Sequence, residues 1–188
     1  MQTYLTADTH FGHKNSVKYR PFDTVEDMDA SIISNWNTTV SQKDVVYILG
    51  DFVWGGYAKV KSYLKQLNGN IYIIKGNHDN INHLNRAFTE VQGKDRVFRY
   101  LDRKIDGQHV FMSHFAMLTW DKSHYGSYCA CGHSHGRLPQ IRPDYIPSVV
   151  GMGGGSALIC DVGVDVWNYT PVSFEEFCGV MENKKVGI

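Results

Sequence analysis

The first 80 residues alternate three short apolar runs with two longer stretches of helical periodicity. Short β-branched runs predict strands, and apolar residues spaced three or four apart predict helices. The expected order is strand 2–7, a helix over 24–40, strand 44–49, a helix over 58–67 and strand 71–74. A strand–helix–strand repeat indicates parallel strands. The sequence therefore predicts an α/β fold in which these strands end at the same edge of a sheet.

The second half of the chain has a different pattern. Asp106-Gly107 separates apolar runs over 96–105 and 108–113, which predicts a hairpin. Further strands are expected over 128–131 and 157–166, and the capping box from Ser173 to Glu176 predicts a C-terminal helix. Residues 136–156 carry three prolines and a triple glycine, so we expect an irregular, mobile segment beside any site at His135. We expect one domain over residues 1–188.

Composition restricts the class of protein. The 188 residues include 19 basic and 19 acidic side chains, so the chain lacks the excess of cations that binding to extended duplex nucleic acid needs. No apolar run is long enough for a membrane span, and the N-terminus resembles no signal peptide. The spacing of the four cysteines fits no disulfide framework, which favours free thiols and a cytoplasmic location. A monomer or a homodimer is expected.

Polar clusters follow five of the predicted strands. They are Asp8-Thr9-His10, Gly50-Asp51, Gly76-Asn77-His78-Asp79, Ser113-His114 and Gly132-His133-Ser134-His135. Asp, His and Asn supply the oxygen and imidazole ligands that suit Mn, Fe or Zn. Asp51 stands alone after its glycine and is the candidate to bridge two ions. The alternative is that these side chains only satisfy one another in loops.

The five clusters resemble the ordered motifs of the calcineurin-like metallophosphoesterase superfamily, D-x-H, G-D, G-N-H-[DE], a lone His and G-H-x-H. Here they read DTH, GD, GNHD, SH and GHSH, spread from Asp8 to His135. The stretches DTHFGHKN and VGVDVWNYTPVS are similar to a small bacterial and phage branch of that superfamily. The resemblance implies a four-layer αββα sandwich, in which two mixed β-sheets pack face to face with helices outside.

The resemblance also implies a ligand set for two divalent transition-metal ions, with Mn²⁺ expected and Fe, Zn or Ni as alternatives. One ion would be held by Asp8, His10, Asp51 and His135, and the other by Asp51, Asn77, His114 and His133. His78 would contact the scissile phosphate and protonate the leaving oxygen. The alternative for His78 is a structural histidine.

The function that this set implies is hydrolysis of phosphodiester bonds by a metal-bridging hydroxide, on a nucleotide or another small phosphate ester. Alternatives are a phosphomonoesterase, a nuclease acting on nucleic-acid ends, or a non-catalytic scaffold. Protein phosphatases of this superfamily carry G-D-x-x-D-R-G, whereas this chain reads GDFVWGG and lacks the arginine. An intact ligand set disfavours the scaffold.

Several other residues have two interpretations each. His13 and Arg137 are candidate substrate contacts, although both are also typical of solvated loops. Trp54 and Tyr57 either form a wall of the substrate pocket or pack within the fold. Asp79 is a weak candidate for orienting His78, because adjacent side chains diverge on extended backbone. Asp161 and Asp165 are either supports of a site histidine or polar strand caps. Cys129 and Cys131 are expected to pack in the core rather than to bind zinc.

Overall fold

The computed structural model describes residues 1–138 and 158–186. Within these residues the strands are β1 (Thr3–Thr6), β2 (Val45–Ile48), β3 (Asn70–Ile74), β4 (Val97–Phe98), β5 (Tyr100–Ile105), β6 (Gln108–Ser113), β7 (Tyr128–Cys131), β8 (Ile159–Asp161) and β9 (Val172–Ser173). The α-helices are α1 (Val25–Thr39), α2 (Tyr57–Leu64), α3 (Ile81–Val91) and α4 (Phe174–Val186). Short 3-10 helices lie at Ser16–Tyr19 and Ser123–Tyr125.

Two mixed sheets form the centre of the molecule. The five-stranded sheet has the order β4-β3-β2-β1-β9, with β9 antiparallel to β1 and the other pairs parallel. The four-stranded sheet has the order β5-β6-β7-β8, in which only the hairpin of β5 and β6 is antiparallel. The parallel pairs of each sheet bring several strand ends to one edge, as the βαβ pattern predicts.

Apolar side chains divide into two cores, one on each side of the five-stranded sheet. Helices α1, α2 and α3 cover its outer face, where Met28, Ile32 and Trp36 of α1 are fully buried. Its inner face joins the four-stranded sheet in the second core, which also takes Phe177 and Met181 of α4. The predicted sandwich of two mixed sheets with helices outside is therefore confirmed.

Three predicted elements differ from the structure by more than one residue at an end. The run 96–105 is two strands, because Val97 and Phe98 pair with β3 whereas the chain from Tyr100 onward pairs with β6. The strand predicted over 157–166 ends at Asp161, whose carboxylate accepts the N–H of Gly163 and so favours a turn. The second helix covers Tyr57–Leu64 rather than 58–67.

Two further expectations concern membrane spans and the segment over 136–156. None of the helices in the described ranges is long and apolar enough to cross a membrane. The expectation of a mobile segment over 136–156 falls largely on residues 139–157, which lie outside the described residues.

Helix α3 begins directly after the GNHD motif, so its N-cap fixes where that motif leaves the sheet. The side chain of Asn80 accepts hydrogen bonds from the N–H groups of Asn82 and His83, at 3.0 and 3.2 Å. These bonds satisfy two of the backbone donors that the first turn of a helix leaves unpaired.

Replacing this N-cap should measurably destabilise the protein. We expect Asn80→Ala to lower the free energy of unfolding by about 1 kcal/mol, the usual value of such a cap. The matched control is Asn85→Ala, on the exposed face of the same helix, where alanine should be neutral or slightly stabilising. Urea unfolding of both variants measures the difference, and equal stability of the two would contradict the capping role.

Candidate metal centre

The five polar clusters meet at one edge of the sandwich. Asp8, Asp51 and Asn77 follow β1, β2 and β3 of the first sheet, and His114 and His133 follow β6 and β7 of the second. Backbone hydrogen bonds connect neighbouring segments, from Asp8 N–H to the Gly50 carbonyl and from Gly132 N–H to the His114 carbonyl. The two sheets thus present their strand ends to a common space.

The first group of potential metal ligands contains Asp8, His10 and His135. One ligand atom from each lies within 4.8 Å of the others. The rings of His10 and His135 stack with centroids 5.2 Å apart. Asp8 and His10 are almost completely buried, whereas His135 is exposed, so the group lies at the boundary between the core and solvent.

The second group contains Asp51, His114 and His133, again with ligand atoms within 4.8 Å of one another. The Nδ1 atom of His114 lies 2.8 Å from the Leu49 carbonyl, to which it donates. The other ring nitrogen, Nε2, lies 2.8 Å from Asn77 Oδ1. A histidine whose Nδ1 is held by a carbonyl presents Nε2 as a ligand, which is the usual arrangement in metal sites.

Asp51 lies between the two groups. Its Oδ2 atom is 3.7 Å from Nε2 of His10 in the first group and 3.4 Å from Nε2 of His114 in the second. The same oxygen lies 4.0 Å from Nε2 of His78. Its other oxygen, Oδ1, accepts the backbone N–H of His78 at 2.9 Å.

The backbone around the site is strained. Five of the predicted ligands adopt the left-handed conformation, with φ between 47° and 67°: Asp8, His10, Asp51, His133 and His135. Asp and His tolerate this region better than most residues, but each such conformation costs roughly 1 kcal/mol or more. Strain that clusters in this way is typical of a functional site rather than of a structural loop.

Two glycines let the backbone approach the buried carboxylates. A Cβ atom at Gly76 would lie 2.1 Å from Asp51 Oδ1, and one at Gly132 would lie 2.6 Å from Asp8 Oδ2. Any larger residue would occupy the space that the carboxylate now fills. The glycines of GNHD and GHSH are therefore required by close packing.

The residues present fit a bound cation. Asp8 is fully buried, and its Oδ1 atom has no hydrogen-bond partner among the described residues. Burial raises the pKa of Asp8 to about 7, since a buried carboxylate is penalised when it is charged. A cation beside Oδ1 would supply the missing partner and restore the ionised form.

The protonation of the other ligands depends on their neighbours. Burial lowers the pKa of His10 to about 3, which keeps the ring neutral as a metal ligand must be. Burial opposes ionisation of Asp51, but hydrogen bonding and charge from His114 outweigh it and lower the pKa of Asp51 to about 2. For His114 burial favours the neutral ring, and Asp51 outweighs this and raises its pKa.

Asp79 supports the site through backbone N–H groups and not, as predicted, through the His78 ring. Its buried carboxylate accepts the N–H groups of Asp51, Phe52 and Gly76, at 2.8, 3.1 and 2.9 Å. The expectation that Asp79 orients the His78 side chain is therefore wrong, because these bonds turn the carboxylate toward the neighbouring loop. Asp79 instead ties the segment after β2 to the segment after β3.

Arg20 and Asp165 form a buried pair behind the first group. The guanidinium donates two 2.8 Å bonds to Asp165 and further bonds to the carbonyls of Asp8 and Thr9. Asp165 also accepts from Nδ1 of His135 at 2.7 Å. Burial opposes ionisation of Asp165, but His135 and Arg20 outweigh it and lower its pKa to about 2. Of the alternatives for Asp165, the supporting role fits these contacts.

One further support has no counterpart among the predicted residues. Asp29 lies in α1, accepts from the N–H of Gly12 at 3.0 Å and from the hydroxyl of Tyr63 at 2.6 Å, and so holds the loop after His10. The sequence signal that could have identified Asp29 is its position next to Met28, beside the apolar stripe of α1. Asp161 acts similarly on the other side, where it accepts the N–H of Gly136.

The candidate substrate residues border a cavity of about 600 Å³ beside the first group. His13, His78 and Arg137 line it, together with His10, Asn15, Ser16, Tyr19, Arg20, His133, Ser134, His135, Asp165 and Tyr169. The His13 ring packs 4.2 Å from the ring of Trp54, which in turn lies 5.4 Å from His78.

Tyr57, the other candidate for the pocket wall, packs against α3, where its hydroxyl contacts Glu90 and Arg86 covers its ring.

The cysteines take no part in this geometry. Cys129 and Cys131 are buried with free thiols in β7, as the core interpretation predicts. Burial raises the pKa of Cys129 to about 12, so the thiolate form that zinc would need is disfavoured.

The buried charge at Asp8 gives a testable trade-off between stability and metal binding. Because its pKa is raised above the unfolded value, ionised Asp8 destabilises the metal-free fold as the pH rises from about 4 through about 7. At pH 7.5 we expect Asp8→Asn to stabilise metal-free protein by roughly 1–3 kcal/mol and to remove most of the thermal stabilisation that Mn²⁺ gives.

Thermal melts with EDTA and with Mn²⁺ measure both effects. Asp121→Asn, at an exposed carboxylate, is the matched control and should behave as wild type in both melts. A lower metal-free melting temperature for Asp8→Asn, together with an undiminished response to Mn²⁺, would contradict the role given to Asp8.

Comparison with known proteins is consistent with this arrangement. Residues 1–147 match the calcineurin-like phosphoesterase family. An uncharacterized protein of Methanocaldococcus jannaschii is 34% identical over 187 residues, which cover 97% of this chain and 93% of that protein. The Gene 66 protein of Mycobacterium phage L5 is 35% identical over 95 residues, 48% of this chain and 46% of the phage protein.

Among solved structures, a protein of unknown function from Aquifex aeolicus shares the fold. Its TM-score is 0.68 at 21% sequence identity, and the alignment covers 95% of this chain and 98% of that one. The family match spans all five polar clusters, from Asp8 to His135. The chain therefore belongs to the calcineurin-like phosphoesterase family and is a metal-dependent phosphoric ester hydrolase.

Proposed function

We propose that the protein hydrolyses phosphodiesters at a centre of two divalent cations bridged by Asp51. The observation that carries the proposal is the position of Asp51 Oδ2, which lies 3.7 Å from His10 in one ligand group and 3.4 Å from His114 in the other. A carboxylate placed between two such groups is suited to contact both ions. Separate, unshared sites would need no carboxylate at this position.

The ligand sets follow from these groups. One cation would be held by Asp8, His10, Asp51 and His135, and the other by Asp51, Asn77, His114 and His133. When bound, such a pair supplies Lewis acidity toward phosphate oxygens and lowers the pKa of bound water from about 15.7 toward roughly 7. Mixed imidazole and carboxylate ligands support Mn²⁺ as the native ion, with Fe, Zn or Ni as alternatives.

His78 is proposed as the general acid. Its ring is 44% exposed, borders the larger cavity and has its Nε2 atom 4.0 Å from Asp51 Oδ2. From this position the ring nitrogen would donate its proton to the ester oxygen that leaves phosphorus. His13 and Arg137 line the same cavity and are proposed to contact the leaving group.

Two features support a diester rather than a monoester as the substrate. Arg20, which borders the cavity, is bound to Asp165 and to two backbone carbonyls, so its charge is already neutralised. A second cavity, with a separate set of described lining residues, lies beside Asn77 and His114. Two cavities next to one centre offer room for the two ester groups of a phosphodiester.

The remaining assignments are proposals of the same kind. We propose a single domain over residues 1–188, in a monomer or a homodimer. We also propose a cytoplasmic location, which the free thiols of Cys129, Cys131 and Cys160 support.

The acid role of His78 predicts a loss that depends on the leaving group. His78→Ala should retain its metal and lose roughly 10²–10⁴-fold in kcat on an ester with an alkoxide leaving group, because no proton reaches the departing oxygen. The loss should be much smaller for bis(p-nitrophenyl) phosphate, whose nitrophenolate leaves without protonation.

The control for this variant is His124→Ala, which removes an exposed histidine that borders neither cavity. Metal content by elemental analysis is measured alongside kcat. An equal loss on both leaving groups would assign His78 to phosphate binding instead of proton transfer.

Substrate preference tests the diester assignment directly. With the same Mn²⁺-loaded protein and pH, we expect kcat/KM for bis(p-nitrophenyl) phosphate to exceed that for p-nitrophenyl phosphate by about tenfold or more, since a monoester dianion needs further fixed cations. The two substrates share one leaving group, so the comparison isolates the second ester. A clear advantage for the monoester would replace this proposal with a phosphomonoesterase.

A further inference from the structure

The cavity beside Asn77 and His114 has a volume of about 460 Å³, within the usual range for ligand sites of roughly 300–1,000 Å³. It borders the second ligand group at Asn77 and His114, and none of its described lining residues also lines the His78 cavity. Its remaining walls come from three separate segments of the chain, at Lys75-Gly76, Arg99-Tyr100 and 111–117.

Aromatic side chains form much of this wall. Tyr100 and Phe111 lie on the paired strands β5 and β6 and stack with ring centroids 5.7 Å apart and planes inclined by 21°. Tyr100 is 63% exposed, and Phe115 is 49% exposed although its ring packs 4.9 Å from that of His114. Exposed aromatic faces beside a polar centre are suited to stack on a planar group.

Two cations complete the wall. Lys75 and Arg99 line the cavity, and no acidic side chain is among its described lining residues. The Lys75 ammonium donates to the Gly76 carbonyl, which is uncharged, so its charge is retained. Among the described residues Arg99 is exposed and forms no ion pair within 4.0 Å. The cavity therefore combines stacking surfaces with a net positive charge.

We propose that this cavity binds a nucleotidyl group, with the base stacked on Tyr100 or Phe115 and a further phosphate at Lys75 and Arg99. A nucleotide is a common ligand that joins a planar aromatic ring to a second negative charge, as aromatic and cationic walls of one cavity require. Stacking tolerates any base, because every base has a π-face. The inference rests on the proposed diesterase function and adds its substrate class.

The positions of the two cavities also assign the direction of cleavage. His78 lies in the other cavity, so the ester oxygen that it protonates departs on that side. A water oxygen bonds to phosphorus and releases a proton to solvent, while the bond from phosphorus to the leaving oxygen breaks. The proton from His78 passes to that oxygen, and His78 then regains a proton from solvent. The nucleotidyl group in the Tyr100 cavity keeps the phosphate. The product is a nucleotide that carries two phosphates.

Binding tests this site separately from catalysis. Calorimetry on the full-length Mn²⁺-loaded protein compares thymidine 3′,5′-bisphosphate, thymidine 5′-phosphate and inorganic phosphate, for which we expect affinity to fall in that order. Tyr100→Leu should weaken both nucleotides about tenfold and leave inorganic phosphate unchanged. Arg99→Gln should weaken only the bisphosphate, by about fivefold. Tyr125→Leu, at a tyrosine that is 81% exposed and borders neither cavity, is the matched control.

Hydrolysis tests the direction of cleavage. Thymidine 3′-phosphate 5′-(p-nitrophenyl phosphate) should be cleaved to nitrophenol and thymidine 3′,5′-bisphosphate, with kcat/KM at least tenfold above that of p-nitrophenyl methyl phosphate. Tyr100→Leu and Arg99→Gln should each reduce this ratio, whereas the control Tyr125→Leu should leave both rates unchanged. Comparing a dinucleotide with a 20-nucleotide single strand then distinguishes a free small molecule from a nucleic-acid end as the source of the ligand.

The outcomes separate this inference from the function on which it rests. If bis(p-nitrophenyl) phosphate is hydrolysed but the bisphosphate binds no more tightly than inorganic phosphate, the nucleotidyl site is wrong and the diesterase stands. If the bisphosphate binds and Tyr100→Leu weakens it, but no diester is hydrolysed, the site stands and the diesterase function is wrong. Nucleotide binding that neither variant alters would also overturn the site.

Discussion

Two buried carboxylates set the conditions for the rest of this structure. Asp8 and Asp51 are 0% and 2% exposed, and they lie where the strand ends of the two sheets meet. Buried negative charge is costly unless cations or donors compensate for it. Here compensation comes from histidines of both sheets, and Asp8 Oδ1 has no hydrogen-bond partner among the described residues. Asp8 thus destabilises the metal-free fold, whereas Asp51 is held in its ionised form by His114, and both carboxylates are candidate ligands for metal.

The surrounding structure holds these groups in place against that cost. Asp79 connects the loops after β2 and β3 through three backbone donors. Asp165 holds the ring of His135, and Arg20, which is bound to Asp165, holds the backbone carbonyl of Asp8. Such contacts explain how the candidate ligands persist in left-handed conformations, since strain survives only where neighbouring interactions overdetermine the geometry.

The centre also divides the surface around it into two chemically different spaces. One contains His13, His78 and Arg137 and is rich in groups that carry or exchange protons. The other combines aromatic faces with Lys75 and Arg99. A symmetrical substrate would not need this difference. The asymmetry fits an ester whose two sides have different fates, one leaving with a proton and one keeping the phosphate.

The sequence by itself determined the parallel order of the first strands, the strand-end placement of the five polar clusters and the family to which they belong. Periodicity reports which faces are buried, and motifs report which chemistry is available. Neither reports which residues distant in sequence come into contact. Only the tertiary structure therefore decided that the run 96–105 divides between two sheets, and that the Asp79 carboxylate binds backbone N–H groups instead of the His78 ring. It also decided that Arg20 pairs with Asp165, 145 positions away. The second cavity was equally invisible, because its walls come from segments that only the packing of two sheets brings together.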